Sequence, residues 1–248
     1  METLGTTFGQ LATQTETLEV GRKHQRLFIG IPKETTLQEN RVALVPNSVA
    51  TLTAHGHRVL IEAGAGDKAR FKDLDYSEAG AELTKNREDV FKADVVLKVA
   101  PPALEDIELM RPEQVLISPI HLPLLNPENI TTLQKRRVIA LAMEYIRDDE
   151  TGVFPIVRVM SEIAGTSAIL VAANLLSTSH GGIGALLGGI AGVPPVKVII
   201  LGAGVVAEFA SRTAIGLGAE VRIFDNDVYK LMRLQKHVGR QLYTSVLD

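Results

Sequence analysis

The residues whose spacing most clearly implies chemistry are Gly202-Ala203-Gly204-Val205-Val206-Ala207, directly after the apolar, β-branched run Val196–Leu201. Such a run reads as a strand buried on both faces. Gly202 permits a tight turn, Gly204 lets the backbone approach a pyrophosphate, and Ala207 is small enough for close helix–strand packing. A helix from about Val205 to Leu217, stopped by Gly218, points its first N–H groups at the phosphates. Val221–Phe224 is a second strand, and Asp225 stands at its carboxyl end, roughly 20 residues beyond the loop, where an acid accepts from ribose hydroxyls. Together these residues form a dinucleotide-binding fingerprint. No arginine directly follows Asp225, whose charge repels a 2′-phosphate, so the pattern favours NAD over NADP.

A second set of reactive groups lies in the first half of the chain. Lys98 ends the run Asp94–Val99, His121 follows the run Gln114–Ser118, and Lys33, Glu34 and Arg41 follow the run Leu27–Ile31. Open α/β sheets bind ligands outside the carboxyl ends of their strands. Two cations and a histidine at such a crevice suit a small carboxylate: the cations hold it and the histidine moves a proton near neutral pH. His24, His55, His57, His180 and His237 lack that placement and read as ordinary surface or turn residues.

These groups need a scaffold, and the patterning supplies one. Strands are expected at Leu27–Ile31, Arg58–Glu62, Asp94–Val99, Gln114–Ser118 and Val138–Met143. Helices are expected at Pro46–Ala54, Tyr76–Leu83, Arg87–Phe91 and Pro127–Arg136. Strands alternating with helices imply a doubly wound, mostly parallel sheet. A long helix from about Val157 to Leu176 follows, then the glycine-dense loop Gly181–Gly192, a hinge, a flap or a plain connector. The expected architecture is α/β: two doubly wound, Rossmann-like parallel-sheet domains, the second incomplete. Residues 1–26 form a polar extension, 27–155 a substrate and catalytic domain, and 156–248 the first half of an NAD-binding domain. A half sheet leaves Val198–Ile200 unpaired on one side, an association hazard.

With 248 residues the chain can hold one large or two modest domains, and its 46% apolar share is that of a globular protein. A net charge of −3 gives no reason to expect nucleic acid or an anionic membrane as partner. There is no cysteine, which excludes disulfides and cysteine–zinc sites, and no metal is expected. The apolar stretch Ile163–Leu176 is too short and too polar to span a bilayer and reads as a buried helix. Met1–Arg26 lacks the pattern of a signal peptide, and the protein is expected in the cytoplasm.

Several spaced motifs carry a resemblance. Ile29-Gly30-Ile31-Pro32-Lys33-Glu34, Glu39-Asn40-Arg41-Val42-Ala43-Leu44-Val45-Pro46, Gly56-His57, Glu62-Ala63-Gly64-Ala65-Gly66, Leu97-Lys98-Val99, Met160-Ser161-Glu162-Ile163-Ala164-Gly165 and Gly202-Ala203-Gly204 with Phe224-Asp225 resemble the signatures of the alanine dehydrogenase and nicotinamide nucleotide transhydrogenase family. The resemblance runs from about residue 27 to the end. His121, in an Ile-His-Leu context, and Ser161–Gly165 look more like the dehydrogenases than the transhydrogenase subunits.

The resemblance implies reversible NAD-dependent oxidation of L-alanine to pyruvate and ammonium. It implies His121 as proton carrier, Arg41 and Lys98 as substrate ligands, Ser161 at the cofactor phosphates, and Val205 and Val206 beneath the pyrophosphate. Asp225 would hold the ribose and Lys230 make a basic cofactor contact. Family members form hexamers and continue well beyond the residue matching Asp248, where they carry a catalytic aspartate. Thr166-Ser167 departs from relatives that carry Arg-Leu. The alternatives are an NAD-binding transhydrogenase subunit working with a membrane partner, and a non-catalytic fragment of the dehydrogenase.

Overall fold

Six short strands of the first half pair side by side in the computed structural model, which describes residues 26–36, 38–121 and 125–247. They are β1 (Phe28–Ile31), β2 (Arg58–Glu62), β3 (Glu82–Thr84), β4 (Val95–Leu97), β5 (Val115–Ser118) and β6 (Ile139–Ala142). Every pairing is parallel, in the order β3-β2-β1-β4-β5-β6. Parallel pairing requires crossovers, supplied by α1 (Pro46–Ala54), α2 (Asp73–Glu78), α3 (Arg87–Val90), α4 (Leu104–Leu109) and α5 (Pro127–Arg136). The order reverses between β1 and β4, which makes a crevice at their carboxyl ends. Apolar residues fill the two sides of this sheet, around Ile31, Val49, Ile61 and Tyr76 on one part and Val90, Phe91, Val96, Ile107 and Leu116 on the other.

Helix boundaries follow local chemistry. Pro46 starts α1, where its missing N–H costs nothing, and Asn126 caps α5 by accepting from the Glu128 N–H. The stretch Tyr76–Leu83, expected as one helix, divides: α2 begins at Asp73, and Gly80, at φ +88°, turns the chain so that Glu82–Thr84 pairs with β2 as an edge strand. Helical spacing cannot show that a three-residue edge is available for pairing.

A second parallel sheet contains β7 (Lys197–Leu201), β8 (Glu220–Asp225) and β9 (Tyr243–Val246), in the order β7-β8-β9. Its crossovers are α7 (Val205–Gly216) and α8 (Val228–Val238). The helices α4 and α8 and the strand β9 lie outside the elements expected from the patterning. Asp227 caps α8 by accepting from the Tyr229 and Lys230 N–H groups, and Gly239 ends it at φ +67°. Among the described residues β7 pairs only with β8, and Leu201 is 74% exposed.

The helix α6 (Pro155–Leu176) departs most from expectation. Read as buried, it has only Gly165 and Ile169 fully buried, and Ile163, Leu170, Val171 and Leu175 are exposed. Its most apolar 18 residues have a mean hydropathy of 1.6, so it is long and apolar enough to cross a membrane by length and composition, a test that core helices also meet. A helix apolar on every side does not reveal which face finds a partner. One face does: Ile169, Ala173 and Leu176 join the core of the second sheet. Gly165 lets α6 approach the backbone of α7, because a Cβ there would run into the Val206 carbonyl and lie 2.9 Å from the Ala210 nitrogen. The glycine-dense loop is anchored to the same core through buried Leu187, whose carbonyl accepts from the Val196 N–H.

Candidate active site and dinucleotide cleft

The switch point of the first sheet opens into a cleft of about 300 Å³, lined by Arg41 and Glu39 after β1, Val99 and Ala100 after β4, and Pro119 and His121 after β5. Arg41 and His121, far apart in sequence, therefore face one space. The Arg41 guanidinium makes two parallel bonds to Glu39, Nε to Oε1 at 2.8 Å and Nη2 to Oε2 at 2.7 Å. Those bonds hold the Glu39 carboxyl below its ordinary range against the opposing effect of burial. The remaining nitrogen, Nη1, lies 3.1 Å from the Met160 sulfur on α6. Arg41 thus already shows bidentate carboxylate recognition, with one edge turned toward α6.

Lys98 sits differently from the sequence expectation of an ammonium at the crevice. It is 1% exposed, with Nζ 2.8 Å from Glu34 Oε2 and 3.2 Å from Asp106 Oδ2, and it is not among the residues lining the cleft. Arg87 extends the network, 2.6 Å from Asp106 Oδ1 and 2.7 Å from Glu62 Oε2. The physical reason is burial: an ammonium beneath the sheet end must be paired. Glu34 adds a second function, accepting the N–H groups of Val99 and Ala100, which form the cleft wall.

His121 is exposed and adopts φ +44°, a left-handed conformation uncommon for a residue with a Cβ. Its N–H donates to Glu144 Oε1 at 2.7 Å. Burial pushes the Glu144 carboxyl up, but N–H donation from His121, from its own backbone and from Ile120 outweighs it and leaves the group below the usual carboxylate range. Sequence reading did not single out Glu39 or Glu144. Two acids of ordinary spacing carry no signal until the fold brings them to the candidate groups.

The second cleft, about 400 Å³, lies where α6, the loop after β7 and α8 meet. Ser161, Ala203, Gly204 and Val205 line it, with Arg158 and Arg233 supplying positive charge. Gly202 has φ +100°, as the tight turn requires, and no side chain caps the N-terminus of α7 at Gly204. Its first N–H groups are therefore available to an anion. A Cβ on Gly204 would meet nothing within 4 Å, so the space over the loop is open for a phosphate to fill.

Asp225 ends β8 and accepts from the Asp227 N–H at 2.8 Å and the Ala203 N–H at 2.6 Å, bonds that hold its carboxyl below the ordinary range. It therefore braces the glycine turn, and an ionised carboxylate retains capacity for further donors. Lys230, in the first turn of α8, adds a favourable charge to Asp225. Val206, Asp225 and Lys230 stand outside the residues lining this cleft. His237, read as an ordinary surface residue, lines it, with Nδ1 3.0 Å from Glu208.

The family models for the alanine dehydrogenase/PNT N-terminal and C-terminal domains match residues 30–164 and 168–247. The chain belongs to the alanine dehydrogenase/PNT family. It is 40% identical over 220 residues to alanine dehydrogenase of Bacillus subtilis (strain 168), covering 89% of this chain and 57% of that protein. It is 39% identical to alanine dehydrogenase 2 of Staphylococcus aureus (strain USA300), covering 87% of this chain and 58% of the relative. Among solved structures, an L-alanine dehydrogenase superposes with a TM-score of 0.81 at 39% identity, covering 89% of this chain and 60% of that one. The transhydrogenase from Sinorhizobium meliloti superposes with a TM-score of 0.75 at 30% identity, covering 88% and 63%. The alanine dehydrogenase/PNT chain thus spans less than two thirds of these relatives.

Proposed function

We propose that this chain carries the substrate and cofactor clefts of an NAD-dependent alanine dehydrogenase, which interconverts L-alanine with pyruvate and ammonium. The observation that carries the reading is the meeting of Arg41 and His121 in one cleft at the switch point of the first sheet. Residues 27–155 form the substrate unit and residues 156–248 the cofactor unit.

Arg41 receives the substrate carboxylate. Lys98 serves the keto or amino end by moving from Asp106, the longer of its two pairs, while keeping Glu34. The residues of the second cleft fit a dinucleotide: Gly202, Gly204, Val205 and Val206 at the pyrophosphate, Ser161 beside it, and Asp225 with Lys230 at the ribose. Bound there, NAD would supply a hydride acceptor. His121 takes a proton from the water that adds to the imine carbon of the substrate and returns it in the reductive direction. Holding the amino acid by its carboxylate fixes the orientation of Cα, a large share of the rate. The same reading makes the protein a cytoplasmic homo-oligomer, a hexamer as in the family. The apolar residues exposed on α6 support association.

The test is L-alanine-dependent NADH formation at 340 nm by purified protein without any added partner. Turnover that falls sharply in H121A, with NADH binding kept, supports the reading. The likeness to the transhydrogenase favours a second one, a nicotinamide-nucleotide-binding subunit, which predicts NADH binding without alanine-dependent reduction. Pyruvate binding without turnover would mark a non-catalytic fragment.

A further inference from the structure

We infer that Glu144 is a positioning residue for His121: its carboxylate gathers the backbone N–H groups of Ile120 and His121 and holds the left-handed turn that presents the imidazole to the cleft. This rests on His121 as proton carrier.

The sheet leaves these amides without strand partners. The β5–β6 register ends at Ser118 and Ala142, and Pro119 has no N–H to donate. Glu144 lies two residues past the end of β6, in the short 3-10 turn Met143–Tyr145. From there it reaches across to the chain leaving β5. The Ile120 N–H lies 3.1 Å from Oε1 and 3.2 Å from Oε2, and the His121 N–H lies 2.7 Å from Oε1. Two consecutive N–H groups can converge on one carboxylate only where the backbone curls at the residue between them, here Ile120, and the chain then turns left-handed at His121, φ +44°. A strained conformation persists when its surroundings over-determine it. Glu144 does so from the amide side, and the Leu125 N–H, which donates to the His121 carbonyl at 3.1 Å, does so from the other. The depressed Glu144 carboxyl fits a charged acceptor of backbone donors. Among the described residues no hydrogen bond to the His121 ring is found, so the main-chain bonds are the described restraints on it.

The experiment compares E144A, E144Q and H121A, singly and as the E144A/H121A pair, in alanine-dependent NAD reduction and in amide hydrogen exchange. A glutamine oxygen at the Oε1 position can accept both N–H groups, so E144Q keeps the clamp without the charge. Misplacing the imidazole should lower kcat in E144A by about 10- to 100-fold, with the KM for L-alanine nearly unchanged. E144Q should recover most of that loss, and E144A should add little to the deficit of H121A.

An E144A loss of equal size in the H121A background would overturn the inference, because Glu144 would then not act through His121. An E144Q defect as deep as that of E144A would overturn it as well, since charge rather than the clamp would be what matters. Near-normal turnover in H121A would remove the proton-carrier reading, and the kinetic half of the inference with it. Exchange needs no turnover: the Ile120 and His121 amides should exchange at least about tenfold faster in E144A, and near the wild-type rate in E144Q. Unchanged exchange in E144A would overturn the clamp itself.

Discussion

Replacing Gly165 with alanine tests how closely α6 lies on α7. The added methyl would run into the Val206 carbonyl oxygen while sitting 2.9 Å from the Ala210 nitrogen and 3.0 Å from Phe209 Cβ. Two of those neighbours are backbone atoms and cannot rotate away, so α6 must move outward by roughly 1 Å to restore ordinary contact distance. Overpacking of this kind costs about 1–3 kcal/mol. Against it stands the helix preference of alanine over glycine, up to about 1 kcal/mol. Gly216, the last residue of α7, gives an uncrowded reference: it is exposed, and a Cβ there meets nothing within 4 Å. The difference between G165A and G216A is then mainly the crowding, about 1–3 kcal/mol. With a urea m-value of about 2 kcal/mol/M the midpoints should separate by roughly 0.5–1.5 M. The chain has no tryptophan, so unfolding is followed by far-ultraviolet circular dichroism. A G165A midpoint equal to or above that of G216A would refute the crowding argument.

Lys98→Ala removes the only cation bonded to buried Glu34 among the described residues and leaves Asp106 to Arg87, and breaking such a buried pair costs about 3–5 kcal/mol. A thermal melt should show the loss, and wild-type stability with weakened pyruvate binding would show that Lys98 serves substrate alone. Asp225→Asn should weaken NAD binding by about tenfold or more, through the ribose and the Ala203 brace, and relax discrimination against NADP. Equal preference in variant and wild type, by fluorescence titration of the reduced cofactors, would undo the ribose role. The Glu144 carboxyl is lowered in the folded chain from an ordinary value of 4.5, so its contribution to stability is present above 4.5 and lost as pH falls through the lower folded value. The side-chain carboxyl resonance of Glu144 should make its main transition in that acidic window, and an unshifted or raised midpoint would contradict the assignment.

The alternation of apolar runs and turn residues made both sheets legible, because an apolar, β-branched run ending in a glycine turn leaves few other readings; the burial expected on both faces of β7 was not found, Ile199 and Leu201 lying exposed beside the unpaired edge. The helices expected at Pro46–Ala54 and Pro127–Arg136 stand at those bounds, because the proline that starts each acts on its own backbone alone. What escaped was non-local. Glu82–Thr84 became a strand because β2 offered an edge, and Tyr243–Val246, exposed throughout, shows no alternation of burial. Lys98 and Arg41 read alike as cations at strand ends. Only three-dimensional packing separates a buried, doubly paired ammonium from an exposed guanidinium. Asp227 and Gly239 did bracket α8 in the sequence, and that missed helix was recoverable from its capping residues.

Adjacent residues of α6 touch both clefts, Met160 against Arg41 and Ser161 beside the glycine turn. On the proposed reading, this one helix links the carboxylate seat to the phosphate seat. Any swing of the second sheet that carries α6 with it lifts the Met160 sulfur off the guanidinium, so the methyl resonance of Met160 becomes a natural gauge of how far the two halves have closed.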